Sequence, residues 1–351
     1  MTTQPDAART ARAPWIDVAR GVCIILVVMM HSALGVEKVT GQVGWLHAVV
    51  AWTKPFRMPD FFMLSGFLAT GAIAPWRKFL DRKVLHFVYF YCLWLFIISI
   101  SKAILEQNLD LSQLGRSVLF GLFEPAGTLW FIYILPFFYV VARFAVGPRC
   151  IPILVAATGL HIVAAMYPDG GRYAMASSLT ISTAIDSFAL FLVYFLIGFA
   201  TREYIAKFVE AAGWQRSETL LALCAWATVH TAGYTLGITE IPGATILFGI
   251  AGALAIMAFS RLFAESQLAP FLAYCGQNSL VIYLTFVIPM NATRSLIISL
   301  NLIQDPGWRG FWTMTSAIIV SLAIGWAVNG TAFRFLYQRP QWAHLPKTGT
   351  P

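Results

Sequence analysis

The chain has 351 residues, of which 58% are hydrophobic and only 11% are charged. Soluble domains carry about 25% charged residues, so this composition excludes a water-soluble protein. The net charge of +8 does not indicate nucleic-acid binding, because the basic residues lie in short loops between apolar runs. Five cysteines without a CxxC pair, and the lack of HExxH, GxSxG or phosphate-loop motifs, predict no metal site and no bound cofactor.

Apolar runs of about 20 residues, long enough to cross a bilayer, recur along the chain. They predict an all-α fold, a polytopic membrane bundle of about ten transmembrane helices. The second run contains prolines and charges, so we expect that helix to be broken. In chain order the predicted spans are about Trp15–Leu34, Trp45–Ala74, Val84–Leu105, Thr128–Val146, Ile151–Tyr167, Ala184–Arg202, Glu218–Leu236, Pro242–Phe263, Pro270–Met290 and Gly310–Phe333.

The distribution of lysine and arginine predicts the orientation of the bundle. If the N-terminus is cytoplasmic, the inner loops and tails hold far more basic residues than the outer loops. That asymmetry is the usual sign of the cytoplasmic side. We therefore predict cytoplasmic tails at 1–14 and 337–351, with a transmembrane domain at 15–336 between them.

The first span contains three ionisable residues, Asp17, Arg20 and His31. Each costs about 2.5–3.5 kcal/mol within a bilayer, so such residues usually have a function. Arg20 and His31 are separated by about three helical turns, which places them on one face about 16 Å apart. This geometry suits a long anionic substrate whose reactive end reaches the imidazole. Alternatively, Arg20 extends to the interface, pairs with Asp17, and His31 is a satisfied polar residue.

The second span is interrupted by Lys54–Asp60, in which Pro55 and Pro59 accompany charged Arg57 and Asp60. Two prolines four residues apart free backbone carbonyls, which are tolerated at membrane depth only beside protein or a water-filled cavity. We expect this break to lie at about the level of His31. The alternative is a re-entrant elbow at the outer interface with interfacial charges.

Other polar residues lie at the starts of later spans. Asn278 and Ser279, with Tyr283 one turn on, form hydrogen-bonding groups that need partners inside the bundle. They are candidates for a binding site, or they join neighbouring helices. Trp130 begins the fourth span, where it is a candidate binding residue or an interface anchor.

These segments together resemble the acyltransferase type 3 family of membrane proteins. Each match is weak alone, but four in order, covering nearly the whole chain, are fairly specific. The matching segments are Asp17–Gly21 followed by His31, then Arg57–Phe67, Leu129–Phe131 and Asn278–Leu284. One departure concerns the last segment, because many members have a histidine soon after it and this chain has Thr285 and Phe286.

The resemblance implies an O-acyltransferase of the bacterial inner membrane that acts on carbohydrates such as exopolysaccharide or lipopolysaccharide. It implies acetyl-CoA or succinyl-CoA as the donor substrate, a glycan or lipid-linked sugar as the acceptor, and polysaccharide biosynthesis proteins as possible partners. It also implies that Arg20 and His31 are essential.

The residues and the resemblance together predict how the site is arranged. His31 is the expected general base and Arg20 the expected contact to the donor phosphates. Further donor-binding candidates are Asp17, Arg82, Lys83 and Arg143. Candidates for binding the acceptor or the oxyanion are Arg57, Asp60, Ser65, Trp130, Asn278, Ser279 and Tyr283.

A secondary transporter, or a flippase-like permease of a polysaccharide pathway, is the alternative function. A broken helix with charges at mid-membrane is also typical of transporters. Transporters often contain inverted repeats, and the sequence has no second proline-interrupted span in a matching position.

Overall fold

The computed structural model describes residues 13–105, 110–167, 183–210 and 216–346. In these ranges the chain forms helices joined by short turns and contains no strand, which confirms the all-α prediction. Residues 1–12 and 347–351, which include most of the predicted N-terminal tail and the end of the C-terminal tail, lie outside the described part.

The helices follow the predicted spans, with shifted ends and several subdivisions. They are α1 (Pro14–Thr40), α2 (Trp45–Phe67), α3 (Trp76–Phe79), α4 (His86–Leu105), α5 (Leu111–Phe123), α6 (Trp130–Phe144), α7 (Cys150–Ala165), α8 (Thr183–Ala200), α9 (Arg202–Glu210), α10 (Arg216–Thr235), α11 (Ala244–Phe263), α12 (Ala269–Gln277), α13 (Ser279–Thr285), α14 (Val287–Ser299) and α15 (Pro306–Val328). A π-helical turn at Leu80–Leu85 joins α3 to α4.

Seven helical segments of the described chain are long and apolar enough to cross a membrane, or eight if the bent pair α13–α14 is one span. The protein is therefore a multi-pass membrane protein. Helices α2 and α10 have 23 and 20 residues and are long enough to span, but they are more polar and are not among these segments. Ten spans would require both helices in addition to the eight, so the number ten stays a prediction. The orientation of the termini also stays a prediction.

Helix α1 is unbroken for 27 residues, because Pro14 suits its first turn and Gly41 ends it with a positive φ of 67°. Its polar residues therefore keep the spacing that the sequence predicts. The helix packs against α2, α11, α12 and α15, which makes it the centre of the bundle.

The predicted break in the second helix is wrong. Helix α2 continues through Pro55 and Pro59 and ends at Phe67, followed by a 3-10 turn at Ala69–Ile73. Each proline removes only one backbone donor. Packing against α1, α8 and α11 supports the helix despite the two missing donors.

The broken helix is instead the ninth predicted span. Asn278 separates α12 from α13, and its side-chain amide donates to the Tyr274 carbonyl at 2.9 Å. Such local side-chain bonds compete with helix continuation. Helices α13 and α14 then bend by 55°, close to Pro289, which cannot donate to the Thr285 carbonyl.

Glycines allow α1 and α12 to cross at backbone contact. A Cβ atom at Gly21 would overlap the Leu272 carbonyl, and one at Gly276 would overlap the Asp17 carbonyl. Small residues at such crossings are typical of membrane helices. In lipid there is no hydrophobic effect to bring two helices together, so close van der Waals packing of their backbones stabilises the contact. This crossing sets the position of the polar end of α1 relative to the broken helix.

Candidate active site

A cavity of about 300 Å³ opens where α1, α2, α4, α6 and α13 meet, and we call it the Arg20 cavity. It brings four predicted site residues together: Arg20, Ser65, Ser279 and Tyr283. Its volume is at the lower end of ligand-binding pockets. The full lining is Arg20, Cys23, Phe61, Leu64, Ser65, Leu68, His86, Phe87, Phe131, Ile132, Leu135, Tyr139, Ser279, Leu280 and Tyr283.

Arg20 is positioned by contacts on two sides. Its Nη2 atom donates to Ser279 Oγ at 2.9 Å, and its Nη1 atom lies 3.8 Å from the carboxylate of Asp17. Gln277 donates in turn to Asp17 at 3.1 Å. The guanidinium is thus held by α1 and by the break between α12 and α13, while 27% of its side chain stays exposed at the cavity.

Ser279→Ala removes the hydroxyl that accepts from Arg20. Since hydrogen bonds to charged groups contribute about 1.5–3 kcal/mol, we expect transfer activity to fall by about tenfold. Activity is measured as acyl product formed by membranes that contain equal amounts of protein. Ser299→Ala is the control, because Ser299 bonds only a carbonyl of its own exposed helix end. Equal activity of both variants would contradict a positioning role for Ser279.

Tyr283 and Ser65 line the Arg20 cavity in different ways. The Tyr283 hydroxyl donates to the Thr128 carbonyl at 2.5 Å and accepts from the Ile132 amide at 3.4 Å. The Ser65 hydroxyl donates to the Phe61 carbonyl at 2.8 Å. The Tyr283 hydroxyl is therefore used in hydrogen bonds to the backbone at the start of α6. The Ser65 hydroxyl oxygen can still accept a hydrogen bond from a ligand.

His31 does not line the Arg20 cavity. Its ring lies 5.4 Å from that of Phe286, between α13 and α14, whereas Arg20 contacts Ser279 at the start of α13. Both residues thus lie on the side of α1 that faces the broken helix, as their spacing predicts. The rise of an α-helix places them about 16 Å apart.

Arg57 and Asp60 lie beside α1 and outside the cavity lining. Arg57 is buried, and its Nη2 atom lies 2.8 Å from the sulfur of Met30, the residue before His31. Asp60 is completely buried and accepts from the Cys23 thiol at 3.0 Å. Its other carboxylate oxygen has no hydrogen-bond partner among the described residues. Arg57 therefore belongs to the His31 end of the site, whereas Asp60 lies behind Cys23, a residue that lines the Arg20 cavity.

Trp130 and Asn278, two further candidates, do not line the Arg20 cavity. The Trp130 ring packs against Phe62 and Phe191 at 5.9 and 5.6 Å. The Asn278 amide bonds the carbonyl of Tyr274 at the end of its own helix. Their observed contacts are structural, and a role in binding the acceptor stays a prediction.

The basic candidates differ in their contact with the Arg20 cavity. Lys83 Nζ lies 4.5 Å from the ring centre of Tyr139 and 3.4 Å from its hydroxyl, and Tyr139 lines the Arg20 cavity. Arg82 is exposed in two adjoining open cavities, both of which Lys78 also lines. Arg143 donates to the carbonyls of Ala72 and Ala74 at 2.8 and 2.5 Å, so its first role is to fix that turn.

The sequence missed His86, Tyr139 and Cys23, all of which line the Arg20 cavity. The position of Cys23 could have been predicted, since it follows Arg20 by three residues and lies on the same helical face. His86 and Tyr139 belong to other helices, and their spacing carries no motif. No group of three potential metal ligands occurs among the described residues.

Comparison with known proteins adds to this geometry. A family model described as an acyltransferase domain matches residues 13–330. The chain belongs to this acyltransferase family. It is also 28% identical over 154 residues to the inner membrane protein YcfT of Escherichia coli (strain K12). That match covers 37% of this chain and 43% of the relative, so it spans less than half of either protein. No solved structure matches the chain.

Proposed function

We propose that this acyltransferase moves an acetyl or succinyl group from an acyl-CoA donor to a hydroxyl of a cell-surface or exported glycan. The main observation is that an unbroken α1 holds Arg20 at the Arg20 cavity and His31 farther along the same side. The bacterial inner membrane is the proposed location, and YcfT, the relative, is named as an inner membrane protein. Proteins of polysaccharide assembly are the proposed partners.

A basic path leads to the Arg20 cavity and suits a coenzyme A ester. Exposed Lys78 and Arg82 line two open cavities of about 430 and 700 Å³. Lys83, which lines the smaller of the two, contacts Tyr139 of the Arg20 cavity. Phosphates would bind at the exposed cations, and the arm that carries the thioester would extend past Tyr139 toward Arg20.

His31 is the proposed general base in the transfer step. It takes the proton of the acceptor hydroxyl while the hydroxyl oxygen attacks the thioester carbon. The carbon–sulfur bond then breaks, and the coenzyme A thiolate leaves and receives the proton from the imidazolium. Arg57, which contacts Met30 next to His31, is the proposed donor to the oxyanion that forms between these events.

Inverted membrane vesicles with acetyl-CoA labelled on the acetyl group test this proposal. Label on a glycan or lipid-linked sugar supports an acyltransferase that draws its donor from the cytoplasm. Movement of substrate across the vesicle membrane without transfer of label would instead indicate the transporter. Mass and NMR comparison of surface glycans from a deletion strain and its parent would then identify the acceptor.

Arg20→Lys tests the donor contact. The substitution keeps the positive charge but replaces a planar group that binds two oxygens with a point charge. We expect the KM for the donor to rise by about tenfold or more, with membrane insertion unchanged. The exposed Arg149→Lys is the matched control. Unchanged donor affinity in Arg20→Lys would support the alternative in which Arg20 only pairs with Asp17.

A further inference from the structure

A groove separate from the Arg20 cavity opens between α10 and α11 and is closed at one end by α9. Its volume is about 430 Å³. We call it the α10–α11 groove. Half of its lining residues are alanine or leucine, including Ala222, Ala251 and Ala255. Small side chains on two adjacent helices leave a narrow apolar channel at the surface of the bundle.

Two arginines lie together at one end of this groove. Arg216 begins α10 and Arg261 lies in the last turn of α11, and both line the groove and are exposed. Arg261 pairs with Glu265 at 3.2 Å, but both of these side chains remain open to solvent, and such pairs are weak. The end of the groove thus presents positive charge to an incoming ligand.

The other end of the groove is aromatic and apolar. It reaches Trp226 on α10 and Ala251 on α11, each ten residues from the arginine of its own helix. Ten residues of α-helix rise about 15 Å. The groove therefore has the shape of an amphiphile site, with a cationic entrance and an apolar depth comparable to half a bilayer core.

We propose that the α10–α11 groove binds an anionic phospholipid, with its phosphate at Arg216 and Arg261 and one acyl chain along the alanine wall. Lysine and arginine between membrane helices on the cytoplasmic side are the usual partners of anionic lipid headgroups. Both arginines lie at helix ends that the charge distribution predicts to be cytoplasmic. A zwitterionic lipid would fit the channel but would not gain from the second cation.

The occupied groove would also support the catalytic bundle. The Trp226 ring packs against Phe56 of α2 at 5.4 Å, and Phe56 precedes Arg57. An acyl chain along the wall would hold α10 and α11 in place behind that contact. The lipid is therefore a structural ligand of the region next to the His31 end of the site.

Native mass spectrometry of the purified protein tests this site with phosphatidylglycerol and phosphatidylcholine of equal chain length. We expect wild type to retain phosphatidylglycerol. Arg216→Gln/Arg261→Gln should bind it about thirtyfold more weakly, since each cation near an anionic headgroup contributes about fivefold. The control is Arg149→Gln/Arg202→Gln, which removes the same charge at exposed positions elsewhere. This control should bind like wild type.

A second variant tests the position of the acyl chain. Ala222→Phe places a ring in the groove without changing its charge, so it should also reduce phosphatidylglycerol retention. Equal retention of the two lipids by wild type, or unchanged retention in either groove variant, would overturn the proposal. None of these outcomes depends on acyl transfer, so the lipid site and the proposed reaction are tested separately.

Discussion

His31→Ala should reduce acyl transfer by about 10²–10⁴-fold while the protein still inserts into the membrane and folds. General-base catalysis typically contributes a factor of that size. The side chain packs beside Phe286, and its removal leaves a small gap that costs stability but not the fold. The measurement is the rate of label transfer from acetyl-CoA at saturating donor, with protein amount and thermal stability measured in parallel.

The control for this variant is His47→Ala. His47 lies at the start of α2, where it accepts from the Gly44 amide at 3.1 Å and lies 3.5 Å from Glu37. It is outside the Arg20 cavity lining, so its loss should leave the rate within about twofold of wild type. Wild-type activity in His31→Ala would show that His31 is not the general base. A KM for the donor that stays unchanged in His31→Ala would separate catalysis from donor binding.

The part of the site that the sequence predicted well depends on one helix. Arg20 and His31 keep their helical spacing because α1 is unbroken from Pro14 to Thr40. Within one helix the number of residues between two positions fixes their rotation and rise. Family and membrane class follow similarly from local patterns, since apolar length and short motifs need no knowledge of the tertiary structure.

The errors concern the response of the backbone to helix-breaking residues. Two prolines predicted a break in α2, yet packing on three sides keeps it helical. The actual break follows Gly276 and Gln277, where Asn278 bonds its own backbone. A proline costs one hydrogen bond, and tertiary contacts decide whether the helix tolerates that loss.

The sequence alone could not predict which helices contribute side chains to the Arg20 cavity. His86 and Tyr139 reach the Arg20 cavity from α4 and α6, and neither residue carries a motif. Conversely, Asp60 lies in a matching segment but is buried against Cys23. Only the packing of the bundle decides which polar residues share a cavity, because helix periodicity does not specify the neighbour that each face meets.

The α1–α12 crossing should be the most sensitive point of the whole bundle. Gly276→Ala adds a methyl group that would overlap the Asp17 carbonyl, so the two helices must separate. Overpacking typically costs about 1–3 kcal/mol and more where only backbone can move. Separation would also pull Ser279 away from Arg20. We therefore expect both thermal stability and transfer activity to fall, with activity close to background.

Gly21→Ala makes the same test from the opposite helix, since its methyl group would overlap the Leu272 carbonyl. The matched control is Gly159→Ala on α7, where no other atom lies within 4 Å of the added methyl. Alanine is the better helix former by about 1 kcal/mol, so this control should be neutral or more stable. If Gly276→Ala, Gly21→Ala and Gly159→Ala behave alike, α1 and α12 do not touch at Gly21 and Gly276. The contact between Arg20 and Ser279, which depends on that crossing, would then also be wrong.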